Sequence, residues 1–89
     1  MSSPSAGGSP AFTVYSTPWC GYCVRLKRQL KKEGLEFAEV DIELDPAAED
    51  LVKAANSGNA TVPTLVFADG SSLTNPTLRE VLDKVQAAA

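Results

Sequence analysis

The 89-residue chain predicts one α/β domain: a mixed four-stranded sheet flanked by three helices, in the order βαβαββα. Three observations point to it. Short runs of aromatic and β-branched residues alternate with longer stripes of helical period. Glycine and proline punctuate the boundaries between those runs. The last two strand-like runs are joined by Asp69-Gly70, a two-residue hairpin signal.

The first strand covers Ala11 to Ser16, with Phe12, Val14 and Tyr15 as its large side chains. Thr17-Pro18 breaks it and opens a helix, because proline suits a first helical turn. The helix runs from Cys20 to about Glu33. Cys23, Leu26 and Leu30 make its apolar stripe, and Arg25, Lys27, Arg28, Lys31 and Lys32 cover the rest. Gly34 supplies the left-handed stop. Leu35 to Ile42 reads as the second strand. Asp45-Pro46 starts the second helix, Asp as the cap and Pro in the first position. Its inner side is Ala48, Leu51, Val52 and Ala55, and Gly58 ends it. Thr64 to Phe67 is the third strand and Ser71 to Leu73 the short fourth. Asn75-Pro76 opens the last helix, with Leu78, Val81, Leu82 and Val85 facing inward. The first half is a βαβ unit, hence a parallel pair with a right-handed crossover.

Residues 1–10 are small, polar and rich in Pro and Gly, and read as a disordered tail ahead of a domain at 11–89. They lack the charged start and apolar centre of a secretory signal, so the expected compartment is the cytosol. No apolar run reaches the length of a membrane span. A net charge of −3 gives no overall attraction to nucleic acid or to an anionic membrane.

The chemistry centres on Cys20 and Cys23, the chain's two cysteines. In a reducing compartment such a pair points to catalysis or metal binding rather than to a structural staple. A closed zinc site needs four ligands, and the chain has no further cysteine and no histidine, so no intrachain metal site is expected. Two thiols at i and i+3 in a first helical turn face one side, and a disulfide needs Cβ atoms about 3.5–4.5 Å apart. Cys20 lies nearer the helix end, where free N–H groups stabilise a thiolate, and is read as the attacking nucleophile. Cys23 is a turn deeper, where desolvation disfavours ionisation, and is read as the resolving thiol.

Other residues around the pair have two readings each. Trp19 suits core packing as well as a site wall, while Tyr22, expected to be exposed, suits a substrate groove. Thr61-Val62-Pro63 is a loop with a strand-starting proline, or a segment whose Val62 backbone holds an extended substrate. Ser71, Thr74 and Asn75 are a turn and cap, or neutral hydrogen-bonding groups near the same pocket. The basic residues from Arg25 to Lys32 are a solvated face that can also raise the potential near Cys20.

Taken in order, Trp19-Cys20-Gly21-Tyr22-Cys23, Val40-Asp41-Ile42, Asn59 through Thr61-Val62-Pro63-Thr64, and Phe67-Ala68-Asp69-Gly70 running into Leu73-Thr74-Asn75-Pro76 resemble the glutaredoxin branch of the thioredoxin superfamily. Within it, the chain is most similar to the mycoredoxins, small actinobacterial glutaredoxin-like proteins. The resemblance spans nearly everything after Pro10 and implies a thioredoxin fold with a cis proline at Pro63 facing the thiols. It implies a thiol–disulfide oxidoreductase that reduces mixed disulfides between proteins and mycothiol through Cys20. Mycothiol is then the reducing co-substrate, no cofactor is tightly bound, and mycothione reductase recycles the oxidised thiol. The implied partners are S-mycothiolated proteins such as peroxiredoxins, met by a monomer.

Glutaredoxins commonly place a lysine just before the CxxC, where this chain has Ser16, Thr17 and Pro18. The glycine pair and acidic residues that usually follow the hairpin are replaced by Gly70-Ser71-Ser72 and Thr74-Asn75-Pro76. Mycothiol's neutral pseudo-disaccharide suits hydroxyls and amides better than cations. Three alternatives stay open. One is a dithiol donor to ribonucleotide reductase, recharged by thioredoxin reductase, which the Gly21-Tyr22 centre fits less well. Another is a glutathione-dependent glutaredoxin served by the basic helix. The third is an iron–sulfur carrier using Cys20 from two subunits, with which Gly21 is compatible.

Overall fold

In the computed structural model, which describes residues 11–88, β1 (Phe12–Ser16) lies inside a four-stranded sheet of order β2-β1-β3-β4. The tail read at 1–10 lies outside the described residues. β2 (Phe37–Asp41) runs parallel to β1, with Phe12 opposite Phe37 and Ser16 opposite Asp41. β3 (Thr64–Phe67) runs antiparallel on the other side of β1, with Tyr15 opposite Thr64. β4 (Ser72–Thr74) pairs antiparallel with β3. The helices are α1 (Gly21–Lys32), α2 (Pro46–Ala55) and α3 (Leu78–Ala88). The element order is the one the sequence predicts.

Strand alternation divides the interior in two. Phe12, Val14, Leu65 and Phe67 point to one face, where Leu26 and Leu30 of α1 and Val81 of α3 pack on them. Tyr15, Val40 and Val62 serve the other, against Ile42 and the α2 residues Ala48 and Val52. The Phe12 ring lies 5.6 Å from Phe37 and 5.2 Å from Phe67, so aromatic contacts link the three strands β2, β1 and β3.

Several boundaries differ from expectation. Leu51 and Ala55 are exposed, because α2 meets the sheet along a narrow seam one turn apart, Ala48 and Val52. β2 is shorter than Leu35 to Ile42, although buried Ile42 still donates its N–H to Ser16 O at 3.1 Å. The last helix does not open at Asn75-Pro76. It opens on a capping box: Glu80 N–H donates to Thr77 Oγ1 at 3.1 Å and Thr77 N–H to Glu80 Oε1 at 2.8 Å. Asp45 caps α2 as expected, its Oδ1 accepting the N–H groups of Ala47 and Ala48.

At the end of α1, Gly34 has φ +79. Its N–H donates to Lys31 O at 3.0 Å and that of Leu35 to Leu30 O at 3.2 Å, the two bonds of a Schellman ending. A Cβ at Gly34 meets nothing within 4 Å, so the cost of Gly34→Ala is the backbone conformation alone. We expect Gly34→Ala to destabilise by about 1–2 kcal/mol. Gly21, equally open but within α1, should respond with the opposite sign, Gly21→Ala stabilising by about 0.4–1 kcal/mol. Urea denaturation midpoints of the two variants check the contrast.

Candidate active site

β1 ends at buried Ser16, and the chain leaves the sheet through Thr17, Pro18 and Trp19. The N–H of Cys20 donates to Thr17 O at 3.3 Å, closing a turn. Pro18 therefore sits in that turn rather than in the helix. Cys20 is the N-cap of α1, with extended backbone (φ −86, ψ 105), not a member of the first helical turn. Its Sγ accepts the N–H of Cys23 at 3.2 Å, the bond a serine or aspartate cap makes. The sulfur thus sits where backbone N–H groups lack helical partners and the helix end favours negative charge.

Both cysteines are free, Cys20 half-buried and Cys23 fully buried. Burial pushes the Cys23 thiol up to about 12, and its hydrogen bond with the Cys20 sulfur adds to the rise. A backbone contact with Thr17 and the Lys27 charge oppose this without reversing it. Cys23 is therefore a neutral thiol near pH 7.

Trp19 is 70% exposed, so it is not a core residue. Its Nε1 donates to Glu43 Oε2 at 2.6 Å, which steadies the indole beside the thiols. Tyr22 departs from expectation. It is half-buried against the core, and its hydroxyl donates to Pro76 O at 2.7 Å, tying α1 to the β4–α3 connection. The Val62–Pro63 peptide is cis, as the resemblance implied. Pro63 O accepts the N–H of Asn75 at 2.8 Å, and Thr61 O accepts the hydroxyl of Thr64 at 2.7 Å. Thr17, Trp19 and Val62 share the wall of one pocket. Segments 17–23, 61–64 and 74–76 are thus joined to one another by these bonds and by that wall.

Two of the expected neutral donors are occupied within the fold. Ser71 Oγ donates to Asp69 Oδ1 at 2.6 Å and Ser71 N–H to the same oxygen at 2.9 Å. These bonds hold the Asp69 carboxyl below its usual range. Thr74 Oγ1 donates to Asn56 Oδ1. Asn75 is exposed, with φ +50.

Asn56 is the residue that sequence reasoning missed. Its Nδ2 donates to Val52 O and to Thr64 Oγ1, each at 3.0 Å, so one amide joins α2, the start of β3 and the end of β4. An asparagine at a helix end is a readable cap signal, but its partners Thr64 and Thr74 are distant in sequence.

The basic face of α1 is partly committed elsewhere. Lys27 lies 3.1 Å and Lys31 3.3 Å from Glu39, and Lys27 also donates to Ser16 Oγ at 3.4 Å. Burial raises the Glu39 carboxyl, but hydrogen bonds and charge from Lys27 and Lys31 outweigh it and hold the group low. Among the described residues, no group of three or more His, Cys, Asp or Glu could hold a metal ion, and no helix is long and apolar enough to cross a membrane.

Paired thiols at the start of α1, a cis proline at the start of β3 and this mixed sheet make the protein a thioredoxin-fold thiol–disulfide oxidoreductase. Residues 12–72 match the glutaredoxin family. A protein assigned as a glutaredoxin in Mycobacterium tuberculosis is 53% identical over 75 residues, 84% of this chain and 89% of its own length. Mycoredoxin 1 of Corynebacterium glutamicum is 42% identical over 77 residues, 86% of this chain and 95% of its own. The solution structure of glutaredoxin from Brucella melitensis superposes with a TM-score of 0.65 at 26% identity, covering 93% of this chain and 90% of that one. The chain belongs to the glutaredoxin family.

Two outcomes follow from Cys23. Iodoacetamide near neutral pH should label the native reduced protein once, at Cys20, and reach Cys23 only after unfolding, as peptide mass spectrometry would read. The second concerns alkali. Native Cys23 keeps its proton up to about 12, whereas the unfolded chain loses it near the ordinary value of 9.0. The native state then binds more protons, so this contribution is complete below about pH 9 and falls as pH rises towards 12. The stability difference between reduced wild type and Cys23→Ala should shrink across that window.

Proposed function

We propose that the protein reduces mixed disulfides between mycothiol and proteins. The observation that carries this reading is the absence of any charged residue from the three chain segments that carry the thiols, the cis proline and the β4–α3 connection. Segments 16–24, 59–68 and 70–78 contain no Lys, Arg, Asp or Glu. They are joined by the Tyr22–Pro76 and Asn75–Pro63 bonds and by the pocket shared between Trp19 and Val62. A thiol with two carboxylates finds no cation in these segments, whereas a neutral pseudo-disaccharide needs none. The 42% identity to Mycoredoxin 1 supports the same reading.

In the proposed cycle the Cys20 sulfur attacks the mycothiol sulfur of the mixed disulfide. The old S–S bond breaks, and the protein thiolate leaves and takes a proton. Cys20 now carries mycothiol. A second mycothiol, as thiolate, attacks that mycothiol sulfur, forming mycothione and returning Cys20. Mycothione reductase recycles the product. Cys23, kept neutral by burial, does not take part in this route. It can close a Cys20–Cys23 disulfide with release of mycothiol, a side path that also serves dithiol reactions. Protein substrates such as S-mycothiolated peroxiredoxins, a monomeric enzyme and a cytosolic setting complete the reading.

Cys20→Ser should reduce turnover of a mycothiolated protein to background, while Cys23→Ser keeps most of it. Loss of turnover in Cys23→Ser would instead favour a dithiol donor such as the ribonucleotide reductase role. In the wild type, mycothiol should exceed glutathione by about tenfold or more in kcat/KM, a difference of about 1.4 kcal/mol. Coupled reductase assays at equal thiol concentration read both.

A further inference from the structure

We infer that the pocket between Trp19 and α2 seats the polyol headgroup of the small thiol, with Glu43 and Glu49 accepting its hydroxyls and rejecting anionic thiols. The inference rests on the mycothiol reading and adds to it the residues that select the thiol. The pocket has a volume of about 170 Å³. Ile42 and Val62 give it apolar walls, the indole of Trp19 flanks it, and Glu43 and Glu49 supply carboxylates. No Lys or Arg lines it. Thr17 is also in the wall. It is 3% exposed, and its Oγ1 has no hydrogen-bond partner among the described residues. Such a buried, unpaired hydroxyl can serve a polar group that enters the pocket.

The position fits a group tethered through sulfur. Thr17 and Trp19 lie just before Cys20 in the chain, and Val62 precedes the cis Pro63. The chemistry fits a polyol. Ring C–H faces pack on an exposed indole, and hydroxyls donate to carboxylate oxygens in charge-assisted bonds. Trp19 engages Oε2 of Glu43 and Lys53 lies 3.5 Å from Oε2 of Glu49, which leaves the other oxygen of each carboxylate for a ligand. A carboxylate on the ligand would meet two charges of its own sign, Glu43 and Glu49. This pocket therefore takes the role first read for Ser71 and Thr74, whose hydroxyls are spent in the fold.

The test uses the mixed disulfide of mycothiol with 2-mercaptoethanol, which carries no protein side chain. The double variant Glu43→Gln, Glu49→Gln should raise KM for mycothiol about tenfold with kcat little changed, and should improve kcat/KM with glutathione. An unchanged KM, in an enzyme whose wild type prefers mycothiol, overturns the pocket assignment. A wild type without that preference fails the proposed function itself. An effect confined to mycothiolated proteins would give the carboxylates to a cationic side chain of the substrate and overturn the headgroup seat. Trp19 is the only tryptophan, so a readout independent of turnover exists. In Cys23→Ser, loading Cys20 with mycothiol should shift its emission beyond the change caused by loading cysteine. Equal emission from the two adducts also overturns the assignment.

Discussion

The N–H of Cys23, 3.2 Å from the sulfur of Cys20, makes the start of α1 and that sulfur one structural unit. A helix N-cap favours an acceptor side chain. A thiol is a weak acceptor, whereas a thiolate is a charged one. Whatever stabilises the helix start therefore also fixes the position of this sulfur, and the converse holds. The position of the sulfur is fixed from behind by β1, which is paired on both sides and cannot slide without breaking two registers. Buried Ser16 and Thr17 carry that rigidity into the turn before Cys20.

A second anchor holds the opposite wall. The Pro63 loop packs Val62 on the smaller core cluster and buries Pro63 fully. Polar bonds hold its geometry as well. Asn56 grips Thr64 and Thr74, Thr64 grips Thr61, and Pro63 O takes the N–H of Asn75. Thr64 is fully buried, so its hydroxyl must be satisfied internally, which makes this network a requirement rather than decoration. The two walls are then joined across the site by Tyr22 and Pro76.

The contrast between these anchors explains what the sequence disclosed. Strands, helices and their order follow from local signals: apolar period, Asp45-Pro46, Gly34, Asp69-Gly70. The sulfur pair was legible because both members sit in one short motif. What escaped depends on tertiary neighbours. Leu51 and Ala55 lie on a helical stripe, but the sheet face offers α2 only a seam one turn long. Tyr22 looked free because Pro76, its partner, is 54 residues away. Ser71 and Thr74 looked available because the acceptors that engage them, Asp69 and Asn56, are set by the hairpin and by α2. The capping box Thr77 to Glu80 was the exception, a local signal overshadowed by the stronger Asn75-Pro76 pair.

On the proposed reading, charge placement selects what the site accepts. The stretch 41–50 carries five acidic residues and no basic one, and it supplies both carboxylates of the Trp19 pocket. The cations of α1 do not offset them there. Lys27 and Lys31 are bound to Glu39 on β2, while Arg25, Arg28 and Lys32 stand in solvent, where salt screens them beyond about 8–10 Å. Like charges about 4 Å apart repel by about 1 kcal/mol in bulk water and about 4 kcal/mol at an effective dielectric of about 20. The pocket opens to solvent on one side, so its value lies between these limits. Even the lower limit separates a carboxylated thiol from a neutral one several-fold, before any hydroxyl makes a bond. On the proposed reading, selection against the wrong thiol therefore requires no clash and no moving part, only two carboxylates in the Trp19 pocket, of which Lys53 meets one.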